Sequence, residues 1–274
     1  MVLVCWVATV VACLGYGTAS VLQSVGAHSV PVKVEARVRI AAVAAILGQL
    51  PYLIGLGLDG IAFVANAVAL QRLPLYLVQA AVSASVGVTA IIAWRRGTPL
   101  NRWQWSAMGV LAAGLVMLAL SSGSEAATKV SELSQWLILA GGLIPLALSL
   151  VALRWSGVAR PVGLAVASGL AYTGVAVAAR GLVIMHPWWH MLAEPLLWAI
   201  ILHGILGTAL FAVALQRGSV TAITAITFAI ELVVPTAIGL TLLGDTVALG
   251  LLPVAVAGFV LTLAATLVLA RYAE

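Results

Sequence analysis

The hexapeptide Ala67-Val68-Ala69-Leu70-Gln71-Arg72 occurs a second time, unchanged, as Ala212-Val213-Ala214-Leu215-Gln216-Arg217. Each copy closes one long apolar segment and is followed at once by another. An Ala-Val-Ala-Leu match would mean little in so apolar a chain, but the shared Gln-Arg at the same place is harder to dismiss. The repeat indicates a membrane protein made of two related halves, a plan typical of secondary transporters, whose substrate site lies between the halves.

The composition excludes a large soluble domain. Hydrophobic residues make up 64% of the 274 residues and charged residues 8%, whereas a soluble domain carries about 25% charged residues. The net charge of +5 therefore reports membrane topology and does not indicate nucleic-acid binding. The sequence has no P-loop, dinucleotide fingerprint or nucleophile elbow, and no nucleophile–base set. We expect neither an enzyme nor a bound cofactor.

The apolar segments predict an all-α polytopic membrane protein. A spanning helix needs about 20 mostly apolar residues. The segment 38–50 is shorter, would reach only about 20 Å as a helix, and runs into Pro51. We predict nine full spans plus a short helix at 38–50, ten helices in all, with ten crossings as the open alternative. The predicted spans are 2–25, 51–72, 74–94, 103–121, 133–153, 160–182, 196–216, 219–241 and 247–270.

The basic residues predict the orientation. If 38–50 does not cross, ten of the 13 Lys and Arg residues lie on one side of the membrane; if it crosses, seven do. The positive-inside rule therefore favours nine crossings, with the N-terminus outside and the C-terminus in the cytoplasm. Arg dominates over Lys in an Ala/Val/Gly-rich background, which is typical of GC-rich bacterial genomes. We expect a multi-pass protein of the bacterial plasma (inner) membrane.

The domain prediction follows from the repeat. Residues 1–121 form the first transmembrane repeat, 122–132 an outer linker, and 133–274 the second repeat. Because 51–72 would run outward and 196–216 inward, the halves are expected to be inverted repeats.

Residues 51–90 carry a family resemblance. The run begins with Pro51-Tyr52 and Gly55, continues through Val64-Ala65-Asn66, and has Pro74 eight residues on, followed by Leu77-Val78 and a small-residue helix. It resembles the drug/metabolite transporter superfamily, of the EamA-like kind, and within it the NIPA-type magnesium transporter branch and its bacterial relatives. Leu242-Leu243-Gly244-Asp245, before the last span, resembles the superfamily too, with Asp where Glu is usual. The resemblance implies a helical bundle of two inverted repeats and a transport function.

Two departures bear on magnesium transport. NIPA-type proteins carry Gly-Glu just before the Val-Ala-Asn, where this chain has Ala62-Phe63, and Thr-Pro after the Leu-Val, where it has Gln79-Ala80. Asp59 lies one helical turn before residue 63 on the same face and is a candidate to replace the missing acid.

The clearest polar stripe in a predicted span ends at Glu231. Thr221, Thr224, Thr227 and Glu231 share a helix face about 120° wide, and Pro235 one turn later would free a carbonyl. An ionisable group at mid-bilayer costs about 2.5–3.5 kcal/mol, so it faces a cavity or a partner. We interpret Glu231 as an acid for a cation or proton. In the alternative, the Thr hydroxyls bond back to their own helix and Glu231 has a structural partner such as His203 or Arg180.

Other spans add polar candidates. The equivalent helix 74–94 carries Gln79 and Ser83 on one face, Asp59 and Asn66 share a face of 51–72, and Tyr172 lies mid-span. Arg180, near a span end, is expected to be an anchor that snorkels to water. No metal-ligand set is identified. The candidate substrate-binding residues are Glu231, Thr227, Thr224, Asn66, Asp59, Gln79, Ser83 and Tyr172.

The sequence leaves three functions open. The first is a secondary transporter or flippase of the drug/metabolite type, moving a small metabolite, cation or lipid-linked solute by alternating access. The second is a Mg²⁺ permease of the NIPA kind, for which one or two acids would be a minimal site. The third is a non-transporting scaffold or partner subunit of an envelope enzyme. The expected partners are the lipid bilayer and a small molecule or ion, with a membrane-protein partner or a homodimer left open.

Overall fold

The described part of the chain is helical. A computed structural model describes residues 2–28, 49–97, 99–123, 130–182, 188–215, 217–218 and 220–271. The only pairing of strand type within these ranges is an antiparallel bridge between Ser122 and Val247. A short 3₁₀ helix, Trp188–Ala193, precedes α9. The α-helices are α1 (Val2–His28), α2 (Leu50–Ala69), α3 (Leu75–Ser83), α4 (Ser85–Arg95), α5 (Arg102–Leu120), α6 (Glu132–Ala140), α7 (Leu143–Ala152), α8 (Ala159–Gly181), α9 (Pro195–Leu215), α10 (Val220–Leu242) and α11 (Leu252–Arg271).

Within the described ranges, nine helical units are long and apolar enough to cross a membrane, with α3–α4 and α6–α7 counting as one unit each. The nine predicted spans are thereby confirmed as helices. Of the predicted helix 38–50, only the last two residues lie within the described ranges, and Leu50 is the first residue of α2. Pro51 occupies the first turn of α2. Main-chain N–H groups there have no acceptor within the helix, so the missing N–H of proline removes no helical hydrogen bond. Residues 124–129 of the predicted linker also lie outside those ranges.

Two of the spans are interrupted, which the hydropathy pattern does not predict. Ala84 separates α3 from α4, and its carbonyl accepts from the Gly87 N–H at 2.9 Å. Gly141 and Gly142 separate α6 from α7. Glycine is a weak helix former, and here its small size is used: a Cβ at Gly142 would lie 3.1 Å from the imidazole of His203.

The helices pack in a pattern that occurs in both halves. In the first half α1 packs on α2 and on α3–α4; in the second, α8 packs on α9 and on α10. The α6–α7 unit packs beside α8 and α9. The halves meet where α3 contacts α10 and where α5 contacts α11.

Small residues allow the closest approaches between helices. A Cβ at Gly15 of α1 would lie 2.8 Å from the Ala62 Cβ of α2. Where α5 meets α11, a Cβ at Gly114 would lie 2.9 Å from the carbonyl oxygen of Gly258. In membranes, helix association depends on such close packing because lipid supplies little hydrophobic drive. These contacts fix the relative positions of the helices around the centre of the bundle, where the polar side chains lie.

A candidate substrate site at the centre of the bundle

Four helices each place one ionisable side chain at mid-length. These are Tyr16 on α1, Asp59 on α2, Tyr172 on α8 and Glu231 on α10. Both tyrosine side chains lie within electrostatic range of both carboxyl groups. The four side chains come from both halves, so the site lies between them.

Glu231 lies at mid-length of α10 and has no charged partner among the described residues. Its side chain is surrounded by protein atoms, and the residue as a whole is partly exposed. Neither structural partner considered from the sequence pairs with it. Arg180 pairs with Asp245, and the His203 imidazole lies 3.2 Å from the carbonyl oxygen of Ile138. In the described part of the chain, no ion pair involves Glu231.

The main chain of Glu231 links the two halves. Pro235 lies inside α10, and because proline has no N–H, the carbonyl four residues earlier has no helical donor. That carbonyl belongs to Glu231. The side-chain amide of Gln79, from the other half, donates to it over 3.5 Å. The freed carbonyl expected from the sequence is therefore used, and Gln79 and Glu231, both sequence-predicted, meet at the centre of the bundle.

Asp59 is held by a neighbour on α1. The Gln23 side-chain amide donates to the Asp59 carboxylate at 2.5 Å, and Gly55 of α2 gives Gln23 its space, since a Cβ there would lie 2.8 Å from the Gln23 Cγ. Asp59 lies half-way along α2, so its depth, which the sequence leaves open, matches that of Glu231. The residue is partly exposed.

Tyr172 is oriented by α9. Its hydroxyl lies 3.2 Å from that of Thr208, and its ring packs on Gly207, where a Cβ would lie 3.1 Å from the ring. Thr208 in turn donates to the Gly204 carbonyl at 2.9 Å. The phenol is thus fixed at the edge of the site.

The threonine stripe divides. Thr224 is partly exposed, whereas Thr227 is buried and its hydroxyl donates across to the Ala165 carbonyl of α8 at 3.4 Å. The side chain of Thr221 lies outside the described set. Thr227 therefore joins two helices of the second half, and Thr224 is the member of the stripe with surface to offer.

Two further candidates are buried in the first half. Asn66 is 6% exposed, and its side-chain oxygen has no hydrogen-bond partner. Ser83, on α3 one turn from Gln79, is also buried. Asn66 is the candidate whose polar atom remains unused.

Sequence reasoning missed Tyr16 and assigned Arg180 differently. Tyr16 is a polar aromatic at the middle of a largely apolar span, and that position is the signal that was available. Arg180 does not snorkel to water; it is 3% exposed and forms an ion pair with Asp245 at 2.8 Å. That pairing joins residues far apart in the sequence, so local hydropathy carries no trace of it.

The described residues include no group of three or more His, Cys, Asp or Glu side chains placed to hold a metal ion. The central site therefore offers two carboxyl groups, two phenols and neutral polar groups. This set suits a singly charged cation or a proton better than a fully coordinated divalent ion, because a divalent ion takes more oxygen ligands.

Comparison with family models, with curated proteins and with solved structures finds no match to this chain.

Proposed function

We propose that this protein is a secondary transporter or flippase of the drug/metabolite type that moves a cationic or proton-coupled solute by alternating access. One observation carries the proposal: Asp59 and Glu231, at mid-length of helices from opposite halves, both act electrostatically on Tyr16 and on Tyr172. Carboxyl groups at this depth need a neutralising partner. Because Arg180 is occupied by Asp245, that partner is a bound cation or a proton.

The packing pattern supports the two-repeat plan that this mechanism needs. We propose that α1–α5 and α8–α11 are inverted repeats, with α1, α2, α3–α4 and α5 corresponding to α8, α9, α10 and α11. The same contacts recur in the same order in each half. Four spans, α3–α4, α5, α6–α7 and α8, lie between α2 and α9, so the two run in opposite directions when every span crosses the membrane. In this scheme α6–α7 is an addition to the second half.

The experiment measures cation-induced proton release. The purified protein in weakly buffered detergent is mixed with tetraphenylphosphonium, choline or Mg²⁺, and a pH indicator records protons displaced from the site. We expect release with at least one monovalent organic cation, and none from Glu231→Gln. Glu132→Gln is the matched control, since Glu132 is an exposed acid at the start of α6.

The outcomes separate the hypotheses. Release by Mg²⁺ alone would favour the permease. If no cation releases protons or binds, and Glu231→Gln behaves as wild type in liposomes carrying a proton-sensitive dye, the transporter proposal fails and the scaffold remains.

A further inference from the structure

One end of the bundle joins the two halves by polar contacts. This end, the Arg180 end, is formed by residues 70–75, 121–123, 180–182 and 243–248. At its centre Arg180 and Asp245, both from the second half, form a 2.8 Å ion pair whose side chains are 4% and 0% exposed. A buried pair of this kind is a weak source of stability, because the cost of removing both charges from water offsets their attraction.

The Arg180–Asp245 ion pair also forms hydrogen bonds to the main chain of the first half. The Arg180 guanidinium also donates to the Leu70 carbonyl, and the second oxygen of Asp245 accepts from the Leu75 N–H at 2.5 Å. Leu70 and Leu75 flank the turn between α2 and α3, and both are fully buried. The ion pair therefore holds this turn from the other half, and the pair with its two main-chain hydrogen bonds is called the clamp.

Further hydrogen bonds surround the clamp. The Gln71 side chain donates to the Leu182 carbonyl at 2.9 Å, and the Tyr76 hydroxyl lies 3.4 Å from the Thr246 carbonyl. The Ala248 N–H donates to the Ser121 carbonyl at 3.0 Å, beside the Ser122–Val247 bridge. Each of these contacts joins the first half to the second.

The opposite end is held differently. Between the central site and that end, the hydrogen bonds from Gln23 to Asp59, from Thr89 to the Gly17 carbonyl and from Arg160 to the Trp155 carbonyl each stay within one half. The halves are in contact there through α11, which packs on α4 and α5. Among the described residues, the hydrogen bonds that join the halves thus lie at the Arg180 end, apart from the Gln79–Glu231 contact at the centre.

The chemistry of the clamp suits reversible closure. Apolar side chains at this place would not be stabilised by water when the end opens. A separated guanidinium and carboxylate are each stabilised by hydration. The free-energy gap between the closed and the open end is therefore smaller with the ion pair than with apolar side chains of the same size.

We propose that Arg180 and Asp245 are the gate of the Arg180 end: they close it in this structure and separate when the central site opens to that side. This inference rests on the proposed alternating-access function. Under the orientation favoured by the basic residues, the Arg180 end is the outer one.

The test uses thiol accessibility and does not depend on transport. A single cysteine replaces Ala176, which lies one turn below Arg180 on the same face of α8 within the buried cluster that joins the halves. Cys5 and Cys13 are replaced by Ala. A membrane-impermeant methanethiosulfonate is applied to vesicles of each orientation, so that the two ends are probed separately.

We expect slow labelling from the Arg180 end when the pair is intact. Asp245→Asn should increase the labelling rate roughly tenfold or more. The open state starts as a minor population of about 0.1–10%, and the substitution raises that population. The double variant Arg180→Met with Asp245→Leu should fold and label more slowly than wild type. Glu132→Gln, an exposed acid at the same end, should leave the rate unchanged.

Several results would overturn the gate. Unchanged labelling in a folded Asp245→Asn protein would leave the pair as a structural contact. Equal acceleration from both ends would indicate general loosening. If Asp245→Asn does not fold, wild-type labelling in the double apolar variant contradicts the proposal equally well. If the wild-type protein shows no cation-induced proton release but cysteine labelling changes as expected, the transport site is refuted and the gate is not.

Discussion

The side-chain amide of Gln79 reaches the main-chain carbonyl of Glu231 across the interface between the halves, over 3.5 Å. The carbonyl is available because Pro235, one turn later, supplies no N–H. A helix defect in one half is thus satisfied by a side chain of the other, at the level of the acidic site.

A double-mutant cycle tests this relationship. Gln79→Leu should lower the free energy of unfolding by about 0.5–1.5 kcal/mol, the usual worth of one hydrogen bond. In a Pro235→Ala background the restored main-chain N–H at this position can bond the Glu231 carbonyl instead, so Gln79→Leu should then cost less. Thermal unfolding in detergent measures both. Equal costs in the two backgrounds would mean that Gln79 acts elsewhere.

Glu231→Gln is expected to insert and fold normally, because the amide keeps the size and the hydrogen-bonding capacity of the acid, but to lose cation or proton transport. Glu231→Ala should also lower stability, since it removes a polar group from a partly polar space. Dye-reported proton flux in liposomes at several pH values measures transport. A wild-type rate and pH profile in Glu231→Gln would leave this residue a packing element and make Asp59 the next candidate.

Asp59→Asn should weaken cation binding by on the order of tenfold, equivalent to about 1.4 kcal/mol, while keeping a hydrogen bond to Gln23. Gln23→Leu is the matched comparison: it keeps the charge and removes the donor that holds Asp59 at 2.5 Å. Titration with an organic cation, followed by tryptophan fluorescence, reports both affinities. An Asp59→Asn protein that binds as tightly as wild type would remove this residue from the site.

Glycine variants test the packing around His203. At Gly174 a Cβ would overlap the His203 imidazole, so Gly174→Ala should cost about 1–3 kcal/mol, as overpacking usually does. Gly109→Ala on α5 is the control, since a Cβ there meets nothing within 4 Å, and it should gain roughly 0.5–1 kcal/mol of helix stability. Melting temperatures that fall equally for both variants would contradict the close packing of Gly174 against His203.

Single-cysteine labelling tests the orientation. Ser156→Cys, in the exposed connection after α7, should react only from the cytoplasmic side. Leu249→Cys, in the exposed connection before α11, should react only from outside. The reverse pattern would invert the topology and would make the Arg180 end cytoplasmic.

The sequence by itself determined the spans and the helix defect. A bilayer leaves an unpaired backbone polar group no water to bind, so about 20 apolar residues in a row must form a helix. The nine predicted segments are accordingly helices. Pro235 and Glu231 lie within one turn of each other, so the freed carbonyl could be deduced from their spacing alone.

Only the tertiary structure decided which polar groups meet. Arg180 looked like a membrane anchor because its own segment says nothing of Asp245, 65 residues later. Thr227 belonged to a polar stripe by spacing, yet it bonds to α8, and Tyr16 was not identified although both acids act on it electrostatically. The physical reason is that hydropathy and helical period are properties of one segment, whereas an ion pair, a freed carbonyl's donor and a shared cavity depend on how several segments pack.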